Sequence, residues 1–221
     1  MHGRIYENSC VDGATFLLDF HENAFAGSGA HVSAELAITT VASLANALFE
    51  DGQQVGLVTN GRDASERIKY EGWIGEFTTR EDAYLKTKQL QPNDRLRPLA
   101  VQTRKGADQI TRILKTLGRL ESTDGLSFPE LIDESISWLP RDASVIPVLR
   151  DASPEAALAI SILRQRGFAV TIVLIQFDEG YNPDWAKAPT WAEPLISEGL
   201  NFITIANEDQ LADLSTLALT H

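Results

Sequence analysis

The sequence predicts an α/β domain with a mostly parallel central sheet and helices on both faces. Three observations carry this expectation. Short apolar runs alternate with amphipathic helical patterns along most of the 221 residues, the order that gives a parallel sheet wrapped by right-handed crossovers. One run, Ala169 to Phe177, is almost unbroken in its apolar character, as strands buried on both faces are. No internal repeat, low-complexity tract or linker interrupts the chain, so residues 1–221 are expected to form a single domain.

The elements follow in order. Thr15-Phe16-Leu17-Leu18-Asp19-Phe20 reads as a buried strand with an acid at its end. Ser33 is the expected cap of a helix in which Ala37, Val41, Leu44, Ala45 and Leu48 share one face and Glu35 sits in the first turn. Asp51-Gly52 stops it, and Val55 to Gly61 is a second strand. From Arg62 to Pro98 the pattern is mixed, with strand-like aromatics over Ile68 to Phe77 and a weak helix over Arg80 to Gln91. Leu99 to Thr103 is a short strand. Ile110, Ile113, Leu114, Leu117 and Leu120 fit one helix face, broken at Asp124-Gly125. Ser127-Phe128-Pro129-Glu130 is a capping-box pattern that opens a helix to about Leu139. Ser144 to Leu149 is a strand with Asp151 just past its end, Ser153-Pro154-Glu155 opens the next helix, and Gly167 closes it. After the Ala169–Phe177 strand and a Pro/Trp-rich stretch from Asp178 to Pro194, Phe202 to Ala206 is a last strand and Asp209 to Leu219 a closing helix.

Composition excludes several functions. The formal charge is −12, from 19 basic and 31 acidic residues, a poor match to phosphate backbones or anionic membranes. Arg95, Arg97, Arg104 and Lys105 cluster in sequence but read as solvated side chains around one strand. The single cysteine, Cys10, rules out an internal disulfide and multi-cysteine zinc sites, and it fits a reducing compartment. No apolar run approaches the roughly 18 to 20 residues that cross a bilayer, and the first residues lack a signal pattern. A soluble, cytoplasmic domain is expected.

In open α/β sheets, ligands bind beyond the carboxyl ends of the strands, where the strand order reverses. Asp19 and Asp151 both stand at such ends. Acids there also cap helices and hydrogen-bond loops, and the sequence leaves both readings open.

Thr15 to Asp19, the amphipathic helix, and Gln54 to Gly61 resemble a von Willebrand factor A domain, which implies a Rossmann-like fold of that type. More closely, Ala34 to Leu48 with Gly56-Leu57-Val58-Thr59-Asn60-Gly61-Arg62 resembles the carboxyl-terminal half of the domain-of-unknown-function 58 family. Arg104-Lys105-Gly106, Leu139 to Val145 and Arg166 to Leu174 are similar to later segments of it, so the likeness covers residues 4–177. The resemblance implies a bacterial protein encoded beside a MoxR-type AAA+ ATPase. Family members usually carry membrane-spanning helices and a β-rich segment ahead of this domain. The chain is therefore expected to be a soluble fragment of a longer, membrane-anchored protein.

Factor A domains commonly bind Mg²⁺ through Asp-x-Ser-x-Ser after the first strand, a Thr from a later loop, and an Asp near the fourth strand. Here the first motif reads Asp19-Phe20-His21-Glu22-Asn23. The acid is kept. His21 replaces one hydroxyl with a nitrogen that Mg²⁺ disfavours, and Asn23 replaces the other with an amide oxygen. The later Gly-Thr pair aligns with Gly106-Ala107, which has no ligand oxygen; Asp151 matches the last acid, with Ser153 beside it. Asp19, Asn23 and Asp151 are the metal candidates for Mg²⁺ or Mn²⁺, in a site expected to be degenerate and to hold no cofactor. His21 and Glu22 with the two acids form an alternative transition-metal set.

Other chemistry is thinly represented. Ser43 has no nucleophile-elbow context, Cys10 has no base paired with it in sequence, and Gly27-Ser28-Gly29 lacks the rest of a phosphate loop. Trp185, Pro189, Trp191 and Pro194 form either an exposed anchor surface or a packed cover. The expectation is a non-catalytic protein–protein interaction module working with a MoxR-type ATPase. His21, Glu22, Asp108, Ser153, Trp185 and Trp191 are its candidate contacts. Two alternatives stay open: a divalent-metal-dependent ligand-binding domain using Asp19, Asn23 and Asp151, and an α/β enzyme with a small-molecule pocket at the strand ends.

Overall fold

A computed structural model describes residues 12–25, 29–71, 95–176 and 190–211. In chain order the strands are β1 (Gly13–Leu18), β2 (Gln54–Thr59), β3 (Arg62–Asp63), β4 (Leu99–Arg104), β5 (Leu120–Glu121), β6 (Ser144–Leu149), β7 (Thr171–Ile175) and β8 (Asn201–Ile205). The helices are α1 (Ala30–Glu50), α2 (Ala64–Glu71), α3 (Ala107–Leu117), α4 (Phe128–Ser135), α5 (Pro154–Gln165) and α6 (Glu193–Ser197). Six strands form one sheet in the order β4-β2-β1-β6-β7-β8, and β3 pairs with β5 apart from it. Every neighbour in the large sheet is parallel except β4, which runs antiparallel to β2.

Alternation along the strands sorts side chains between two cores, because successive residues point to opposite faces. Leu17, Val58, Val145, Leu149, Ile172 and Leu174 pack with Leu131 and Ile132 of α4 and Ile160 and Leu163 of α5. Phe16, Leu18, Leu57, Val148, Val173 and Ile175 pack with Leu36, Ala37 and Val41 of α1 and Ile113 of α3. The result is the expected three layers, with the sheet in the middle. Each fully buried Leu, Ile or Phe among these contributes about 1.5–3 kcal/mol.

Several elements depart from expectation. α1 starts at Ala30, after Gly29 in the left-handed region at φ 70°, where glycine bears no Cβ penalty. Ser33 is therefore not its cap; it lies inside the helix, fully buried, with no hydrogen-bond partner for its hydroxyl. By length and composition alone α1 is apolar enough to cross a membrane, although no such run was expected; here Leu36, Ala37, Val41 and Ala45 are buried against the sheet. Ile68 lies in α2 and not in a strand, because Ala64 to Glu71 is helical. Leu120 belongs to β5, since α3 ends at Leu117. α4 opens with the expected capping box, Ser127 N–H donating to Glu130 Oε2 at 2.8 Å, but ends at Ser135. The readings at Phe77, at Arg80 to Gln91, and over most of the closing helix fall outside the described residues.

Strand order fixes where a site belongs. The chain runs outward from β1 through β2 to β4, then crosses to the far side of β1 for β6, β7 and β8. The reversal lies between β1 and β6, so the crevice beyond their carboxyl ends is the favoured binding position.

Candidate functional site

Asp19 follows β1 directly and its backbone N–H donates to Val148 O of β6 at 3.0 Å, which places the carboxylate at the reversal. It is 8% exposed. Its Oδ1 accepts the Asn60 side-chain amide at 2.8 Å and the His21 N–H at 3.3 Å. Asn60 follows β2 and is 2% exposed. Its Nδ2 also donates to Leu126 O at 3.0 Å, and its Oδ1 accepts the Phe20 N–H at 2.6 Å. One side chain thus ties the end of β1, the end of β2 and the loop before α4. In the sequence, Asn60 is marked only as a polar residue ending an otherwise apolar strand.

Burial raises the Asp19 carboxyl above its usual range, opposed by the Asn60 and His21 hydrogen bonds and by the His21 charge. A carboxyl raised on folding holds its proton more tightly in the folded state. Its contribution to stability is therefore full below the ordinary value of 3.8 and falls as pH rises through the folded value. Asp19→Asn keeps an acceptor for Asn60 and removes the buried charge. At neutral pH the variant is expected to be more stable than the parent by about 0.5–2 kcal/mol, the gain vanishing towards pH 3 to 4. Urea melts across pH check this; a variant less stable at pH 7 refutes it.

The rest of the crevice is a loop pair. His21 and Thr123 face each other in a parallel bridge, and Glu22 N–H donates to Thr123 O at 2.9 Å. Thr123 is 7% exposed, and its hydroxyl accepts the Gly125 N–H at 2.8 Å. His21 Nδ1 accepts the Asn23 N–H at 3.2 Å, while the Glu22 and Asn23 side chains are exposed.

The hydroxyl position expected at Gly106-Ala107 is a correction. Because β4 is antiparallel, Arg104 pairs with Val55 near the start of β2, so the residues after it lie at the opposite end of the sheet from Asp19. Asp108, exposed in the first turn of α3, lies at that end too. The threonine beside the crevice is Thr123; its neighbours Asp124-Gly125 were read only as a helix breaker, although a hydroxyl in a turn after a helix was there to be seen.

Asp151 is exposed, and its Oδ1 accepts the Ala152 N–H at 2.9 Å and the Trp191 indole N–H at 2.7 Å. Ser153 caps α5, its Oγ accepting the Ala156 N–H at 3.2 Å. Trp191 packs against Phe202 at a ring-centroid distance of 6.2 Å, so this tryptophan both covers the sheet and holds an acid. Trp185 lies outside the described residues. Trp191→Phe keeps the ring packing and deletes the indole donor. A loss of about 1 kcal/mol is expected by urea melts; an unchanged midpoint would show that the bond contributes nothing in water.

Magnesium needs near-octahedral oxygen ligation. Among the described residues, no three of His, Cys, Asp and Glu converge to hold a metal. Several oxygens already accept: Asp19 Oδ1 from two N–H groups, Asp151 Oδ1 from two, Thr123 Oγ1 from one.

No protein-family model matches the chain, and no curated protein matches it. Solved structures do. The pilus adhesin SpaC from Lactobacillus rhamnosus GG is similar with TM-score 0.53 and 12% identity, over 93% of this chain and 30% of that one. Its open conformation gives TM-score 0.50 and 11% identity, over 93% and 29%. An aerotolerance-related membrane protein from Bacteroides fragilis gives TM-score 0.45 and 11% identity, over 94% and 96%. The chain thus spans under a third of the adhesin's length. Together with the six-stranded, mostly parallel sheet covered on both faces, the likeness shows a Rossmann-like α/β fold of the von Willebrand factor A type.

Proposed function

We propose that this domain is a non-catalytic protein-interaction module whose metal-ion-dependent adhesion site is degenerate. One observation supports the reading: at the reversal of strand order, protein donors already occupy one oxygen of each acid, Asn60 and the His21 N–H on Asp19 Oδ1 and the Trp191 indole on Asp151 Oδ1. Such a surface is preorganised for contact with another protein instead of waiting for an ion. The two grooves described on the molecule lie along β4 and α3, and neither is lined by Asp19 or Asp151. By its resemblance to the domain-of-unknown-function 58 family, we take a bacterial MoxR-type AAA+ ATPase as the partner, met on the cytoplasmic side of a membrane-anchored parent. The fold alone does not assign that partner.

Thermal melting with EDTA, Mg²⁺, Mn²⁺ and Zn²⁺ tests the reading. The expected result is one midpoint under all conditions. Stabilisation by Mg²⁺ or Mn²⁺ that is lost in Asp19→Ala would overturn it in favour of metal-dependent ligand binding through Asp19, Asn23 and Asp151. The scale is about 2.7 kcal/mol at a hundredfold excess over the dissociation constant. For the partner, the domain immobilised on resin is expected to retain the host's MoxR-type ATPase, with retention weakened by Glu22→Lys. Equal retention by an unrelated acidic protein refutes the pairing.

A further inference from the structure

A groove of about 640 Å³ runs along the edge of the sheet between β4 and α3. It is two strands away from β1 and Asp19, in the order β4-β2-β1. β4 pairs with β2 on one side, and among the described residues no strand pairs with its other side. Gln102 and Arg104 of β4 are exposed towards the groove, and Arg112, Lys115 and Arg119, with the half-exposed Trp138 ring, complete its walls. The lining also contains Asp63, whose carboxylate already accepts the Ser65 N–H at 2.7 Å and the Ser65 hydroxyl at 2.6 Å. Four cations therefore face one satisfied acid on a chain whose formal charge is −12.

The groove is also held in shape. Gln109, 5% exposed, donates its side-chain amide to Val55 O at 2.8 Å and to Gln102 O at 2.5 Å. That locks α3 against the bulged edge, where the β2–β4 register shifts between Val55 and Leu57. An open strand edge accepts a further extended strand through main-chain hydrogen bonds. The flanking cations select what that strand carries.

We propose that the β4–α3 edge binds an acidic, extended segment of a partner protein by strand addition to β4, its carboxylates set against Arg104, Arg112 and Lys115. A polynucleotide is disfavoured, because a chain this acidic repels a long polyphosphate and four clustered cations do not make an extended basic face. This surface is independent of the Asp19 crevice, so each can fail without the other.

The test uses the full chain and a fluorescein-labelled nonapeptide alternating glutamate and valine, read by anisotropy. Saturable binding is expected, weakening at least tenfold in Arg112→Glu/Lys115→Glu and for the glutamine-for-glutamate peptide, and weakening as salt rises. Arg164→Glu, on the far helix α5, should bind as the parent does. Amide exchange over residues 99–104 should slow when peptide is bound. The salt series on the parent chain keeps the test decisive if the double variant misfolds. Equal binding of both peptides, indifference to salt, unchanged exchange along β4, or tighter binding of a single-stranded DNA nonamer would each overturn the proposal.

Discussion

Asn60→Ala is expected to destabilise the domain by about 3–5 kcal/mol, far more than the removal of one exposed polar side chain would. Asn60 is 2% exposed and serves three buried partners: it donates to Asp19 Oδ1 and Leu126 O and accepts from the Phe20 N–H. Truncation removes the side-chain partner of the Phe20 N–H and of Leu126 O and leaves Asp19 Oδ1 with only the His21 N–H, and an unsatisfied buried group costs about 1–3 kcal/mol. Urea-induced unfolding measures the loss directly. Asn60→Asp should be no better, because it sets a second carboxylate within hydrogen-bond distance of one whose charged form burial already disfavours. Part of the loss is specific to the charge on Asp19. In the Asp19→Asn background, Asn60→Ala is expected to cost about 1–2 kcal/mol less, the coupling a double-mutant cycle isolates. A loss below about 1 kcal/mol in the parent chain would show that the loops close equally well without the amide.

That coupling bears on function. A buried acid with a raised pKa is an expensive thing to keep at the end of a strand, and a neutral residue there is expected to stabilise the fold. Residues that reduce stability while shaping a crevice concentrate at binding sites, because evolution retains them for contact. Asp19, buried and held by Asn60 at the reversal of strand order, combines these two features.

How far the sequence reveals this depends on the kind of signal. Strand and helix periods are local, so β1, β2, β6, β7, the face of α1 and the start of α5 are legible in the sequence, while the spacing that joins Leu114 and Leu120 to the α3 face misleads: Leu114 is 45% exposed and Leu120 lies in β5. Strand direction is not local: alternation reads the same both ways, and the antiparallel course of β4 is what moved Gly106-Ala107 to the wrong end of the sheet. The start of α1 was missed because serine outranks glycine as an expected cap, whereas here the left-handed turn at Gly29 sets the boundary. In the crevice, Asp19 and Asp151 were visible as acids at strand ends. Asn60, Thr123 and the indole bond of Trp191 were not, since each acts across 40 or more residues of sequence or through a loop pairing that no short window contains.

The bulge beside β4 yields the second large effect. Gly56→Ala is expected to destabilise by about 2–5 kcal/mol, through contact and not through backbone conformation. A Cβ at Gly56 would stand 2.2 Å from Thr103 Oγ1, 2.7 Å from Thr103 Cα and 2.8 Å from Thr103 N. Thr103 of β4 stands beside Gly56 at the bulge, and its hydroxyl lies 2.5 Å from that of Thr15, which is 1% exposed. Forcing β4 outward strains the edge by about 1–3 kcal/mol and parts a half-buried hydroxyl pair worth a further ~1–2 kcal/mol. The two sources separate experimentally. If the obstacle were the hydroxyl alone, adding Thr103→Ala would restore most of the loss. Because two of the three nearest atoms are backbone, Gly56→Ala/Thr103→Ala is expected to stay at least as unstable as Gly56→Ala, with faster amide exchange along β4. Recovery of the parent's unfolding midpoint in the double variant would place the whole effect in the side chain, and would make the edge strand more yielding than a preformed binding groove requires.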